Sequence, residues 1–232
     1  MAPRVRRAPE EARRLILEAA GALLAAGGPA AVQVRAVAAA VGMSDAAVNH
    51  HFGTRDQLLT ALLRFGGQKL RSALHAALGS WSGGPADPAP LVRALSALYA
   101  EGYAELALAL HRSGWRDQGS GMLAEVVDRL HARARTDCAT TGRSAPTREA
   151  VQLTVAALHQ ALLTEPLFGG EFRRSVGLDG AARERTLDWW TEVLRTTLAG
   201  HPAAPPQAAS AAAAAASSSS CRARPAARPS ER

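Results

Sequence analysis

The sequence predicts an all-α fold, and three observations carry that prediction. Its 232 residues are 47% hydrophobic but only 4% aromatic, with alanine leading the apolar share and leucine and valine behind it. Alanine favours helix, whereas the Ile, Tyr and Phe that favour strands are scarce. Apolar residues recur at helical spacing in segment after segment, with no strand pattern and no internal repeat. The length suits one to two domains at the usual ~100–200 residues each, and a charged share of 20% argues against wholesale disorder.

The elements follow from these patterns in order. Across 10–27, Ile16, Ala19, Ala20, Leu23 and Leu24 make one buried face, and Gly27-Gly28-Pro29 stops the helix. Val34, Val37, Ala38 and Val41 make a second, short face, broken at Gly42. Ser44 can cap a third helix to about His50, which Gly53 ends. Thr54 with Gln57 three residues on is a capping-box pattern, opening a helix through Leu58, Leu62, Leu70 and Leu74. Residues 79–90 form a Gly/Pro-rich loop, and Asp87-Pro88 reads as an N-cap followed by proline at the first helical position. The next helix runs to about His111, a loop spans Gly114 to Gly121, and Met122 to about Thr140 is helical again. After a loop from Gly142 to Pro146, one helix covers about 147–164, stopping before Pro166, and a last one covers about 181–199. From His201 the composition turns to Ala, Pro, Ser and Arg without large apolar residues, so 201–232 reads as a disordered tail.

Charge and motif searches narrow the function. Residues 1–64 carry eight Lys/Arg against five Asp/Glu, 65–200 fifteen against fourteen, and 201–232 four against one. A near-neutral middle with basic ends suits a polyanion partner, although simple solubility explains it equally well. No apolar run approaches the ~18 residues of a membrane span, and the N-terminus lacks a signal-peptide stretch, so a cytoplasmic protein is expected. Cys138 and Cys221 match no metal or redox spacing, and the seven histidines show no ligand motif. The pairs Glu101/Glu105 and Glu125/Asp128 are explained by surface helices, with no converging nucleophile. No enzyme, metal or cofactor is expected.

The informative stretch is Val34–Phe52, VRAVAAAVGMSDAAVNHHF. Two short helices around a turn holding Gly42 make a helix-turn-helix. Gly42 permits a left-handed turn, Ala38 stays small where the second helix crosses, and Val37, Met43 and Val48 bury the apolar side. The second helix then presents Ser44, Asp45, Ala47, Asn49 and His50 outward, as a recognition helix does to the major groove. In context, the pieces RRLILEAAGALLAAGG, VRAVAAAVGMS and AAVNHHFGTRDQLL, from about Arg13 to Leu63, resemble the N-terminal DNA-binding domain of the TetR family of transcriptional regulators.

That resemblance implies a repressor-like homodimer on palindromic DNA operators, with a C-terminal domain that binds a small effector and dimerises through its last two helices. It puts Arg35 where the family reaches bases or backbone, and Asp45 and Ala47 at base-facing positions. It puts Asn49 where a phosphate-contacting tyrosine is common, His51 at the usual histidine, and Thr54–Arg55 at the start of a fourth helix that approaches phosphate. Acidic Asp45, small Ala47 and Asn49 depart from the family pattern and leave the operator sequence undetermined. Other readings stand beside these. Arg35 also fits a solvated surface, and Asp45 fits the positive end of its helix dipole better than a bond from cytosine. His51 and Phe52 fit the closing of the small core. Arg4, Arg6 and Arg7 fit either a minor-groove arm or a solubilising tail.

On the helices that line effector pockets in the resembled family lie Tyr99, Tyr103, Leu106, Leu110 and His111. Trp115, Met122, Val126, Leu158 and His159 complete that set, which is equally what an ordinary helical core looks like. For the dimer, Val151, Val155, Leu158 and Leu162 line one helix, and Leu187, Trp190, Leu194 and Leu198 line the last. Trp189 beside Trp190 points about 100° away, so one tryptophan should face the home core and the other the partner. The complete expectation is an all-α, nine-helix regulator. It has a three-helix DNA-binding head at 1–53, an effector and dimerisation body at 54–200, and the tail. Two other readings remain: a helical small-molecule carrier or enzyme keeping a relic helix-turn-helix, and a regulator controlled by a protein partner.

Overall fold

The computed structural model describes residues 8–79, 87–116, 121, 123–180 and 182–202. The N-terminal arginines, most of the 79–90 loop, Met122 and the chain beyond Pro202 lie outside the described residues. Helix α1 (Pro9–Ala31) opens with a proline in its first turn and Glu10 and Glu11 at its positive end. Its helical geometry breaks at Gly27 and Gly28, where the sequence places the stop. Helix α2 (Val34–Val41) packs on α1, α3 (Asp45–Phe52) packs on α2 and on α4 (Arg55–Gly79), and α4 leads away from this three-helix head.

The body follows. Helix α5 (Ala89–Leu98) passes through a π turn (Tyr99–Tyr103) into α6 (Ala104–Arg112), then come α7 (Ala124–Thr141), α8 (Arg148–Ser175) and α9 (Ala182–Leu198). Asp87 accepts from the Ala89 N–H at 3.1 Å, the bond expected of it as a cap, and the helix itself begins one residue later than anticipated. Because α5, the π turn and α6 are continuous, the described residues hold eight separate helices, not nine.

Pro166 does not stop α8, contrary to expectation. Proline removes one backbone donor and crowds the preceding turn, a cost of ~3 kcal/mol. Beyond it, Glu165 reaches along the helix to an ion pair with Arg173, and both side chains are largely buried. Gly169 leaves the space that the Glu165 carboxylate occupies. A charge-assisted bond in such a shielded place is among the stronger ones and offsets part of the proline's cost.

The all-helical expectation has one small exception. Arg143–Ser144 (β1) pairs antiparallel with His201–Pro202 (β2), and Arg143 also donates to the carbonyls of Ala199 (2.7 Å) and Gly200 (2.8 Å). His201 and Pro202, expected to open the tail, are instead clasped to the α7–α8 turn. No described helix is long and apolar enough to cross a membrane.

One apolar cluster runs through head and body. In the head Ile16, Ala20, Val37, Val48, Phe52 and Leu58 close on one another. In the body Leu70, Leu95, Leu106, Leu130, Leu162 and Leu194 do the same. The junction is the π turn. Gly102 adopts φ 89° there, and a Cβ on it would stand 2.9 Å from the Leu24 carbonyl oxygen of α1. The turn sends both Tyr99 and Tyr103 inward. Tyr103 fills the space opposite Gly66 of α4, where a Cβ would be driven into its ring. We therefore expect Gly66→Ala to destabilise the protein by about 1–3 kcal/mol, the usual cost of overpacking, lowering the thermal midpoint by several degrees. A melting curve followed by circular dichroism tests this, and an unchanged midpoint would contradict the packing.

Candidate nucleic-acid interface

The helix-turn-helix forms as its residues dictate. Gly42 takes φ 66° and ψ 34°, the left-handed conformation expected of it. Its N–H and that of Met43 turn back onto the Ala38–Ala39 carbonyls and close α2. The Ser44 hydroxyl accepts from the Ala47 N–H at 3.2 Å and starts α3. Val37, Ala38 and Val48 are fully buried, while Met43 is half-buried. Burying a valine contributes about 1.5–3 kcal/mol, so the apolar side of the motif anchors α3 firmly. The capping box is reciprocal: Thr54 N–H donates to Gln57 Oε1 at 2.8 Å, and Gln57 N–H donates to Thr54 Oγ1 at 3.3 Å.

Ser44, Asp45, Asn49 and His50 are exposed on α3 and Ala47 is half-exposed, so the structure groups them on the outer face. Arg35 on α2 is exposed and makes no hydrogen bond or ion pair to a described residue. A polar face with one unpaired guanidinium beside it has the chemistry to meet phosphates and base edges. His51 is half-buried against Phe52, their ring centroids 6.5 Å apart.

Arg55 differs from its expected role. Half-buried, it donates from Nε to the Val32 carbonyl at 2.9 Å and from Nη2 to the Pro29 carbonyl at 2.6 Å. It pins the α1–α2 turn to α4. Sequence reasoning also missed Arg13, whose guanidinium lies 4.3 Å above the Phe52 ring and donates to the His51 carbonyl. No local spacing signals a bond across 38 residues.

The residues assigned to effector lining are divided between the core and the surface. Tyr99, Leu106, Leu110, Val126 and Leu158 are packed in the body core. Tyr99 and His159 stack at 5.7 Å with a hydrogen bond between hydroxyl and Nε2, and burial pushes the Tyr99 hydroxyl well above its ordinary pKa. Trp115 is half-buried, His111 is exposed and Met122 lies outside the described residues. Tyr103 alone of the set borders an open cleft, of about 370 Å³, between α1, α4 and the π turn.

The dimer set needs correction on similar grounds. Val151, Val155, Leu158, Leu162, Leu187, Leu194 and Leu198 are buried within the single chain. Their stripe faces α7 and the home core, because the regular 3- to 4-residue spacing marks an inward face as readily as an interface. Trp190 is half-buried against that core, and it is Trp189 that stands 59% exposed. The tryptophans do divide, with the sides opposite to those assigned. The outward apolar residues of α8 are Leu153, Phe168 and Phe172, at 65%, 46% and 60% exposure.

Residues 16–62 match the family model described as bacterial regulatory proteins, tetR family. The HTH-type transcriptional repressor Rv3405c of Mycobacterium tuberculosis H37Rv is 33% identical over 177 residues, 75% of this chain and 89% of the relative. The HTH-type transcriptional regulator Mb3439c of Mycobacterium bovis shows the same figures. Among solved structures, one from work on the control of antibiotic production by bacterial hormones shares the fold. Its TM-score is 0.58 at 18% identity, covering 81% of this chain and 97% of that one. Another, from Pseudomonas aeruginosa PAO1, gives 0.53 at 19% identity over 82% and 93%.

The two arginines should separate in their effects on folding. Arg55→Ala removes two bonds from a charged donor, each worth about 1.5–3 kcal/mol, and should lower the thermal midpoint clearly. Arg35→Ala should leave it unchanged. Equal midpoints for the two variants would sink the assignment of Arg55 to the turn.

Proposed function

The chain belongs to the TetR family of bacterial transcriptional regulators, and we propose that it is a dimeric repressor released from its operator by a small effector. The observation that carries this reading is the outer face of α3, where the Asp45, Asn49 and His50 side chains are exposed to solvent. Beside it stands the unpaired Arg35. Inserted in the major groove, α3 would offer Asn49 and His50 to base edges and phosphates, while Arg35 would meet the backbone from α2. Asp45 lies in the first turn of α3, where the helix dipole favours a carboxylate.

Two heads are needed to read a palindrome, because half-sites one helical turn apart lie about 34–36 Å from each other. The apolar face of α8 and α9 supports the pairing. Leu153, Phe168, Phe172 and Trp189 leave a surface that water covers poorly and a second copy would bury. Release follows if the effector binds better to the conformation whose heads no longer match adjacent major grooves.

Selecting bound fragments from the source genome tests the reading. The parent should retain a specific duplex with an affinity that falls steeply with salt. Arg35→Ala should weaken it by about 1–3 kcal/mol, roughly five- to 150-fold, if the side chain reaches a base, and should lower the salt slope by about one if it reaches a phosphate. Failure to retain any duplex would reject the function. For the dimer, Trp189→Glu or Leu153→Glu should give folded monomers in sedimentation, with weaker operator binding. Leu194→Glu, by contrast, should unfold the protomer, since Leu194 is 1% exposed in the single chain. Dimers that persist in both surface variants would move the interface elsewhere.

A further inference from the structure

The cleft between α1, α4 and the π turn joins the head to the body, and it contains an unfinished polar group. Tyr103 is 2% exposed, and its hydroxyl has no hydrogen-bond partner in the fold. Leaving such a group unpaired costs about 1–3 kcal/mol. The hydroxyl is aimed at α1, because a Cβ on Gly21 would stand 3.6 Å from it, and Gly21 itself lines the cleft. Two glycines shape the site: Gly66 admits the ring from α4, and Gly21, with no side chain, is the thin wall between the buried oxygen and the cleft.

The walls define a ligand class. Ala22 and Ala25 of α1 and Phe65 of α4 are apolar. At the rim Lys69 pairs with Glu101 at 3.0 Å and Glu18 pairs with Arg14 at 2.6 Å. The rim charges balance, so an ion gains little there and a neutral molecule loses nothing. The hydroxyl is a neutral donor under any ordinary condition, since burial, with Glu101 adding to it, pushes its pKa up to about 12. At about 370 Å³ the space falls within the usual range for small-molecule sites.

We propose that this cleft binds a compact neutral molecule with an apolar body and a carbonyl or ether oxygen that accepts from Tyr103, and that its occupancy alters how the head sits on the body. The walls come from both parts: α1 belongs to the head, α4 and the π turn to the body. A ligand here separates or ties the two without entering the packed core around Tyr99. The binding half stands on the cleft alone; the regulatory half rests on the reading of the chain as an operator-binding repressor.

Acetophenone, a ketone on an apolar ring, is the probe, with ethylbenzene as its counterpart lacking the oxygen. In an NMR titration of the full chain, acetophenone should shift the amides of Gly21, Ala22 and Gly102, and ethylbenzene should bind more weakly. Tyr103→Phe should weaken acetophenone about tenfold, leave ethylbenzene unchanged and not lower the thermal midpoint, because it removes an unpaired oxygen. Ala22→Leu, at an exposed helical position, should block both probes. Shifts located elsewhere, no binding at millimolar probe, or equal ketone affinity in Tyr103→Phe would overturn the site. Acetophenone should also change the affinity of the parent for its selected operator and leave that of Ala22→Leu untouched. A bound probe with unmoved operator affinity would overturn the regulatory half. A parent that binds no duplex even without probe would reject the repressor reading while the titration still decides the site.

Discussion

The seating of Tyr103 against Gly66 is the constraint on which the joining of head and body depends. A side chain of that size can lie between α1 and α4 only because α4 carries no Cβ at that point. The π turn is the other half of the same fit. Gly102 allows the chain to step out of helical register at φ 89° and brings the backbone close to Leu24, with Tyr99 and Tyr103 both buried on either side of the step. The junction is therefore set by two glycines and one aromatic ring, and the cleft beside it is the space those three leave behind.

The arginines sort themselves by what surrounds them. Arg13 and Arg55 are absorbed by the head, one over Phe52 and onto the His51 carbonyl, the other onto two carbonyls of the α1–α2 turn. Arg173 stiffens α8 past its proline. Arg143 fastens the end of α9. Arg35 has no such partner among the described residues and is exposed. Charge content alone does not separate these roles, because the same fork serves carbonyls, carboxylates and phosphates.

The head was legible in the sequence because its signals are local. A glycine for the left-handed turn, Ser44 at a cap, Thr54 with Gln57, and apolar residues at helical spacing all act within four residues of one another. What was illegible is long-range. Arg13 reaches across 38 residues and Arg55 across 26 and 23. The apolar stripes of α8 and α9 were visible, but their direction was not, since a core face and an interface share one periodicity. Pro166 misled for a related reason: the helix continues past it, and the Glu165–Arg173 pair that spans it is eight residues long in reach and has no local signal. The π turn lacks any pattern separate from the helices that flank it, and its one glycine, Gly102, reads in sequence like an ordinary helical glycine.

The ion pair between Lys69 and Glu101 has a practical corollary. Lys69 is the only lysine among the 232 residues, every other cationic side chain besides histidine being arginine. Its ammonium, half-exposed beside Glu101, is thus the sole side-chain primary amine available to acylating or reductively alkylating reagents. Such chemistry, usually scattered over a protein's surface, is confined here to the rim of the head–body cleft. Side-chain amine labelling therefore places a fluorophore, spin label or crosslinker at one address, where α4 meets the π turn.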